Sequence, residues 1–206
     1  SGEATWQHLR DQPDNWYRDL GQKCLHIAPS RDSRALEGLN FDIVESVESA
    51  EFILVTGPGD SMTSAKPYDE MLAIALERNL PMVCANPDRE VIRGGVRQIC
   101  AGAIAERYEA QGGNVRWHGK PDPSIYEQCF EMLGIDDRSR ILGIGDSFAT
   151  DIKGANAAGL DGLLVARGIH GEDLMGTNGT LEGHRIAACA ETAGVTIIGA
   201  IDEFVW

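Results

Sequence analysis

The sequence predicts an α/β protein built on parallel sheets with helices on both faces. Two observations carry this. From about Gln22 onward, short apolar runs of strand length alternate with helical patterns, and such alternation yields parallel strands joined by crossover helices. The stretch from Ile141 to Ala155 reads as a short buried strand, a tight turn at Gly145 and Asp146, and then a helix. In open α/β sheets that turn lies at the carboxyl edge, where ligands are held. At 206 residues the chain suffices for one large domain or two small ones.

Ser1 to Leu20 carries Trp6, Leu9, Trp16, Tyr17 and Leu20 in an amphipathic pattern broken at Pro13. It starts without an initiator methionine or a signal-peptide pattern, and a processed or truncated product is expected. A first series of elements follows. Strands are expected at Lys23–Ala28, Phe41–Glu45, Glu51–Thr56 and Pro81–Ala85, with a short helix from Ser30 to Gly38. Pro67 opens a helix through Asn79 whose Met71, Leu72, Ile74, Ala75 and Leu76 form a buried stripe. Gly57 to Ser61 lacks the lysine and helix of a phosphate loop and reads as a turn. Arg89–Gly95 reads as a glycine-rich loop leading into a helix from about Gly95 to Ala110. The second series runs from Gln111. It comprises a strand at Val115–His118 and a helix from Pro123 to Leu133, with Ile125, Tyr126, Cys129, Phe130 and Met132/Leu133 inward. After the Ile141 strand and its helix, which Thr150 would cap and Gly159 would end, come a strand at Gly162–Ala166 and a helix from Leu181 to Ala193. A strand at Val195–Ile198 and a short helix over Ile201–Trp206 close the chain.

A net charge of −14 argues against nucleic acid and anionic lipid as partners. No run approaches the roughly 18 apolar residues of a membrane span. The five cysteines (Cys24, Cys84, Cys100, Cys129, Cys189) show no metal-binding spacing and read as reduced, mostly buried thiols of a cytoplasmic protein.

Lys120 ends a strand just before a helix opened by Pro121, so its ammonium is expected at the same sheet edge as Asp146. Asp146 and Asp151, five positions apart, can converge on one cation or phosphate; they can equally cap a helix. A phosphate needs a cation to balance it, and Mg²⁺ needs hard oxygen ligands. Lys120 and the two carboxylates supply both kinds of group.

Gly119-Lys120-Pro121-Asp122-Pro123, followed by Gly145-Asp146-Ser147-Phe148-Ala149-Thr150-Asp151-Ile152-Lys153-Gly154-Ala155, resembles the third and fourth motifs of the haloacid-dehalogenase (HAD) superfamily. Asn86-Pro87-Asp88 resembles its class IIA branch, phosphatases with a large α/β cap inserted after the second motif, and Ser1 to Thr5 looks like the stretch preceding that cap. The resemblance implies a Rossmann-like HAD core, incomplete at its N-terminus, with an inserted cap. Residues 1–20 would lead into the cap, 21–110 would form it, and 111–206 would be the C-terminal part of the core. It implies that Asp146 ligates Mg²⁺, that Asp151 supports the metal or orients Lys120, and that Lys120 holds the nucleophile and phosphoryl oxygens together. Asn86 and Asp88 would lie on the cap loop near the leaving group, although an ordinary Asx-Pro turn explains them too.

The chain departs from the family at the nucleophile. The family attacks phosphorus with the first Asp of a DxDx[TV] strand motif; here the only Asp near such a strand is Asp42, with no second Asp two positions on. The expectation is therefore a Mg²⁺-dependent phosphatase of a small phosphorylated metabolite, acting through an aspartyl-phosphate and seen without its N-terminal segment. The strand at Ile141 would then form an exposed sheet edge; the oligomeric state is open, and the cap could supply the surface of a homodimer. The alternatives are a catalytically inactive HAD-like binding or regulatory module, and a flavodoxin-like or receiver-type domain with an acidic Mg²⁺ pocket.

Overall fold

A computed structural model describes residues 2–30, 35–176 and 179–205. The chain forms two compact units, Ser1–Gly119 and Lys120–Trp206.

In the first unit, α1 (Gly2–Asp11) and α2 (Asn15–Arg18) precede a five-stranded parallel sheet. The sheet consists of β1 (Lys23–Ile27), β2 (Asp42–Val44), β3 (Phe52–Val55), β4 (Met82–Cys84) and β7 (Val115–Trp117), in the order β2-β1-β3-β4-β7. All four residues of the central β3 are buried, as expected of a parallel strand covered on both faces. Side chains alternate across it. Ile53 and Val55 pack with Leu72 and Ala75 of α3 (Asp69–Glu77) and with Ile104 and Tyr108 of α4 (Ala101–Glu109). Phe52 and Leu54 pack with Leu9, Tyr17 and Leu20. Each such fully buried side chain contributes about 1.5–3 kcal/mol. The N-terminal segment, expected as a lead-in, therefore covers one face of this sheet. β7, assigned from the sequence to the second series, pairs with β4 in register Met82↔Val115.

The glycine-rich loop is a correction. Arg89–Gly95 is not a loop running into a helix; β5 (Glu90–Arg93) and β6 (Val96–Ile99) form an antiparallel hairpin. Gly94 and Gly95 are both left-handed (φ 57° and 76°), the geometry that tight two-residue hairpins require. The helix expected over Ser30–Gly38 falls partly outside the described residues, and 35–38 form turns. Cys24 and Cys84 are buried, and burial pushes each thiol up to about 12. Cys129 is exposed.

Glu51 ties the start of β1 to the sheet, its Oε2 accepting from the Gln22 and Lys23 amides at 2.6 and 2.9 Å. These amides hold its carboxyl below the usual glutamate range. A lowered folded value means the stabilisation is complete above the ordinary range and is lost as pH falls through the folded value. The urea midpoint is thus expected to fall more steeply with acidification in the native protein than in Glu51→Gln. Superimposable pH profiles would contradict this.

The second unit holds a three-stranded parallel sheet of order β10-β9-β8, from β8 (Leu142–Gly145), β9 (Asp161–Val165) and β10 (Gly199–Ile201). Its helices are α5 (Ser124–Leu133), α6 (Lys153–Ala157), α7 (Gly171–Leu174) and α8 (Gly183–Ala193). β8 is an edge, as expected, but it is not fully buried: Leu142 and Ile144 are each 42% exposed. Met132 and Leu133 are exposed rather than inward; Phe130 is the buried anchor of α5, packing with Ala155, Ala158 and Leu160.

The last strand is Gly199–Ile201, not Val195–Ile198. The Asn156 side-chain amide takes both backbone groups of Thr196, donating to its carbonyl at 3.1 Å and accepting from its N–H at 2.7 Å, so the ladder starts later. No helix forms after Ile201 among the described residues. The Ile201 and Asp202 carbonyls accept from Ala166 and Arg167 instead, extending the pairing with β9. Among the described residues, no helix is long and apolar enough to cross a membrane.

Candidate active site

β8 ends at Gly145, and the chain enters a wide turn over Phe148–Ile152 closed by an i→i+5 bond from the Ile152 amide to the Ser147 carbonyl (3.0 Å). The helix is capped by Ser147, whose Oγ accepts from the Thr150 amide at 3.2 Å, and not by Thr150. Among the described residues, Thr150 Oγ1 is the buried side-chain oxygen left without a partner, an unusual cost of about 1–3 kcal/mol at this turn.

The wide turn brings Asp151 back over the strand end. Its Oδ2 accepts from the amides of Asp146 and Ser147, both at 3.1 Å, and its Oδ1 pairs with Lys120 Nζ. Asp151 is 12% exposed and Lys120 45%, so the ion pair has a dry carboxylate and an ammonium that still faces solvent. The Asp146 carboxylate has a partner of its own, its Oδ2 accepting from the Ile169 amide at 3.1 Å. Asp151 joins Lys120 to the backbone of Asp146, and Asp146 keeps its charge at the sheet edge.

Glycines make this packing possible. A Cβ at Gly145 would lie 2.2 Å from Asp151 Cγ, and one at Gly168 would lie 2.1 Å from Asp146 Cβ. Gly145 was expected to serve a sharp turn, yet its φ is not positive; what it supplies is room. Gly168, Ile169 and His170, more than twenty residues downstream of Asp146, carry no motif that reveals their part. The His170 ring stacks tilted on Phe148 at 4.9 Å between centroids. An open hollow of about 600 Å³ beside Asp146 is lined by Ile144, Gly145, Arg167, Glu203 and Phe204.

Asn86 and Asp88 belong to the first unit. Asn86 Oδ1 accepts from the Asp88 amide at 3.1 Å, an Asx turn, and the Asp88 carbonyl accepts from Gly102 at the start of α4 (3.0 Å). Asn86 lines a cavity of about 80 Å³ with Pro29, Gly57, Asp60, Arg93 and Cys100. It lies at the carboxyl ends of β1, β3 and β4; Asp88 is not among its lining residues.

A HAD-hydrolase-like family model matches residues 117–196. A hydrolase of the haloacid dehalogenase-like family from Brucella suis is 33% identical, with a TM-score of 0.77, over 99% of this chain and 70% of that one. The chain belongs to the haloacid dehalogenase-like hydrolase family. A D-glycerol 3-phosphate phosphatase of Mycobacterium tuberculosis is 33% identical over 113 residues, 54% of this chain and 31% of that protein. A glycerol phosphate phosphatase structure from the same organism, in complex with calcium, is 24% identical with a TM-score of 0.56 over 82% of this chain and 47% of that one. The chain spans about half or less of the length of the curated relatives it matches.

Proposed function

We propose that the protein is a phosphatase, hydrolysing the phosphoric monoester of a small metabolite of the glycerol phosphate kind. The observation that supports this best is the Lys120–Asp151–Asp146 arrangement beside the end of β8. An ammonium fixed by a mostly covered carboxylate is a pre-oriented cation for phosphoryl oxygens. It costs no reorganisation as charge develops in the transition state. Asp151 has both oxygens engaged and acts by holding Lys120; Asp146 presents the second charge.

The reading includes a divalent cation, Mg²⁺, at Asp146. The donors test it: Asp146 offers one carboxylate with an oxygen already accepting an amide, and no group of three or more His, Cys, Asp or Glu among the described residues could hold a metal. These residues do not make a metal site by themselves. Attack through an aspartyl-phosphate needs a nucleophilic carboxylate. No two aspartates in the 206 residues are spaced Asp-x-Asp, so these residues do not supply the family's paired-aspartate motif. The second reading is a HAD-like binding or regulatory module, which would hold an anion at Lys120 without turnover.

Phosphate release from glycerol 3-phosphate by the full-length protein separates the two. Asp146→Asn keeps an oxygen for the Ile169 amide but removes the charge, and is expected to lower turnover about 100-fold or more. Unchanged turnover in the variant would refute the role of Asp146; no release by the native protein would leave the binding module.

A further inference from the structure

Asp151 is gripped at its carboxylate by Lys120 and two amides, and its backbone is gripped too. The Tyr126 hydroxyl donates to the Asp151 carbonyl at 3.1 Å. We propose that Tyr126 is a positioning residue for this site: its hydroxyl sets the wide turn that carries Asp151, and through Asp151 it sets the ammonium of Lys120. The inference rests on the phosphatase reading for its consequence in turnover, but not for its structural part.

Three observations converge. Tyr126 lies on α5, six residues after Lys120, so a single side chain links the element following Lys120 to the element carrying Asp151. The approach depends on Gly154, where a Cβ would lie 2.6 Å from Tyr126 Oη and 3.1 Å from Pro121 Cα. The glycine thus opens α6 to the phenol on one side and to the Lys120 segment on the other. Finally, burial, and secondarily the nearby Asp151 charge, push the phenol up to about 12. At neutral pH it remains a donor, as the Asp151 carbonyl requires. The sequence marks Tyr126 only as an inward-facing helix residue; its polar end is what matters.

Tyr126→Phe removes one oxygen and keeps the ring. Two readouts test it. The amides of Asp146 and Ser147 report directly on Asp151, and their hydrogen exchange, followed by NMR, is expected to accelerate about three- to tenfold, the scale of one neutral hydrogen bond. Exchange along the β8–β9 ladder is expected to stay unchanged. In the full-length protein with glycerol 3-phosphate, kcat is expected to fall by a similar factor with KM within about twofold, because the loss is in the orientation of Lys120. Gly154→Ala, which displaces the phenol, is expected to reproduce the exchange pattern without adding to Tyr126→Phe in the double variant. Unchanged exchange at Asp146 and Ser147 would overturn the proposal. So would acceleration everywhere, which marks a merely structural role, or altered exchange with unaltered kcat. Local acceleration in Tyr126→Phe, together with a native protein that releases no phosphate, would retain the positioning role and reject the phosphatase reading.

Discussion

Lys120→Ala in the full-length protein is expected to lower phosphate release about 100- to 1000-fold while leaving the fold intact. The size follows from what is removed. A preorganised charge aimed at developing negative charge is worth about 10²–10³ in kcat, and Lys120 is the cation that Asp151 holds at this edge. The small stability effect follows from what is left. Asp151 keeps its two amide donors, and the ammonium lost was partly solvated, so the cost is about 1 kcal/mol. Steady-state kinetics and a urea midpoint on one preparation check both halves. Turnover near the native value, or a protein that no longer folds, would contradict the assignment.

Gly145→Ala is expected to give the largest combined loss. The new Cβ would fall within 2.4 Å of three Asp151 side-chain atoms, its Cβ among them. An aspartate Cβ cannot swing aside as the end of a long side chain does, so the wide turn itself must shift. A cost of about 3 kcal/mol is expected, with turnover falling as far as in Lys120→Ala because Asp151 leaves Lys120. Gly183→Ala, where a Cβ would meet nothing within 4 Å, is the control and is expected to be near neutral. Equal denaturation midpoints for the two variants would show that Asp151 does not depend on the space at Gly145.

Much of this site was legible in the chain because its parts are local. Lys120 and Asp146 each lie just past a parallel strand, as the chain indicates, but not at one sheet edge: β7 belongs to the five-stranded sheet and β8 to the three-stranded one, and what links the two residues is the Lys120–Asp151 pair. What was missed depends on partners distant in sequence. The use of Thr196 by Asn156 displaced the final strand, and nothing near Val195–Ile198 announces it. The amide of Ile169 reaches Asp146 across 23 residues. Met132 and Leu133 read as inward because apolar residues default to the core, although α5 turns them outward. The β5–β6 hairpin is a different kind of miss. Gly94-Gly95 between Glu90–Arg93 and Val96–Ile99 is a local signal for a two-residue turn, and it was read as a glycine-rich loop. The cap assignment also turned on a partner: Ser147, three residues ahead of Thr150, takes the free amide, which fixes where the wide turn begins.

The central claim is that Lys120 and Asp151 act as one device beside Asp146. A double-mutant cycle on phosphate release by the full-length protein, with Lys120→Ala, Asp151→Asn and both together, tests it most directly. If the two are one device, the double variant falls no further than the worse single variant, to within about threefold, because removing either member already disables the other. Losses that multiply in the double variant, or native turnover in either single variant, would show that the two residues work independently or not at all.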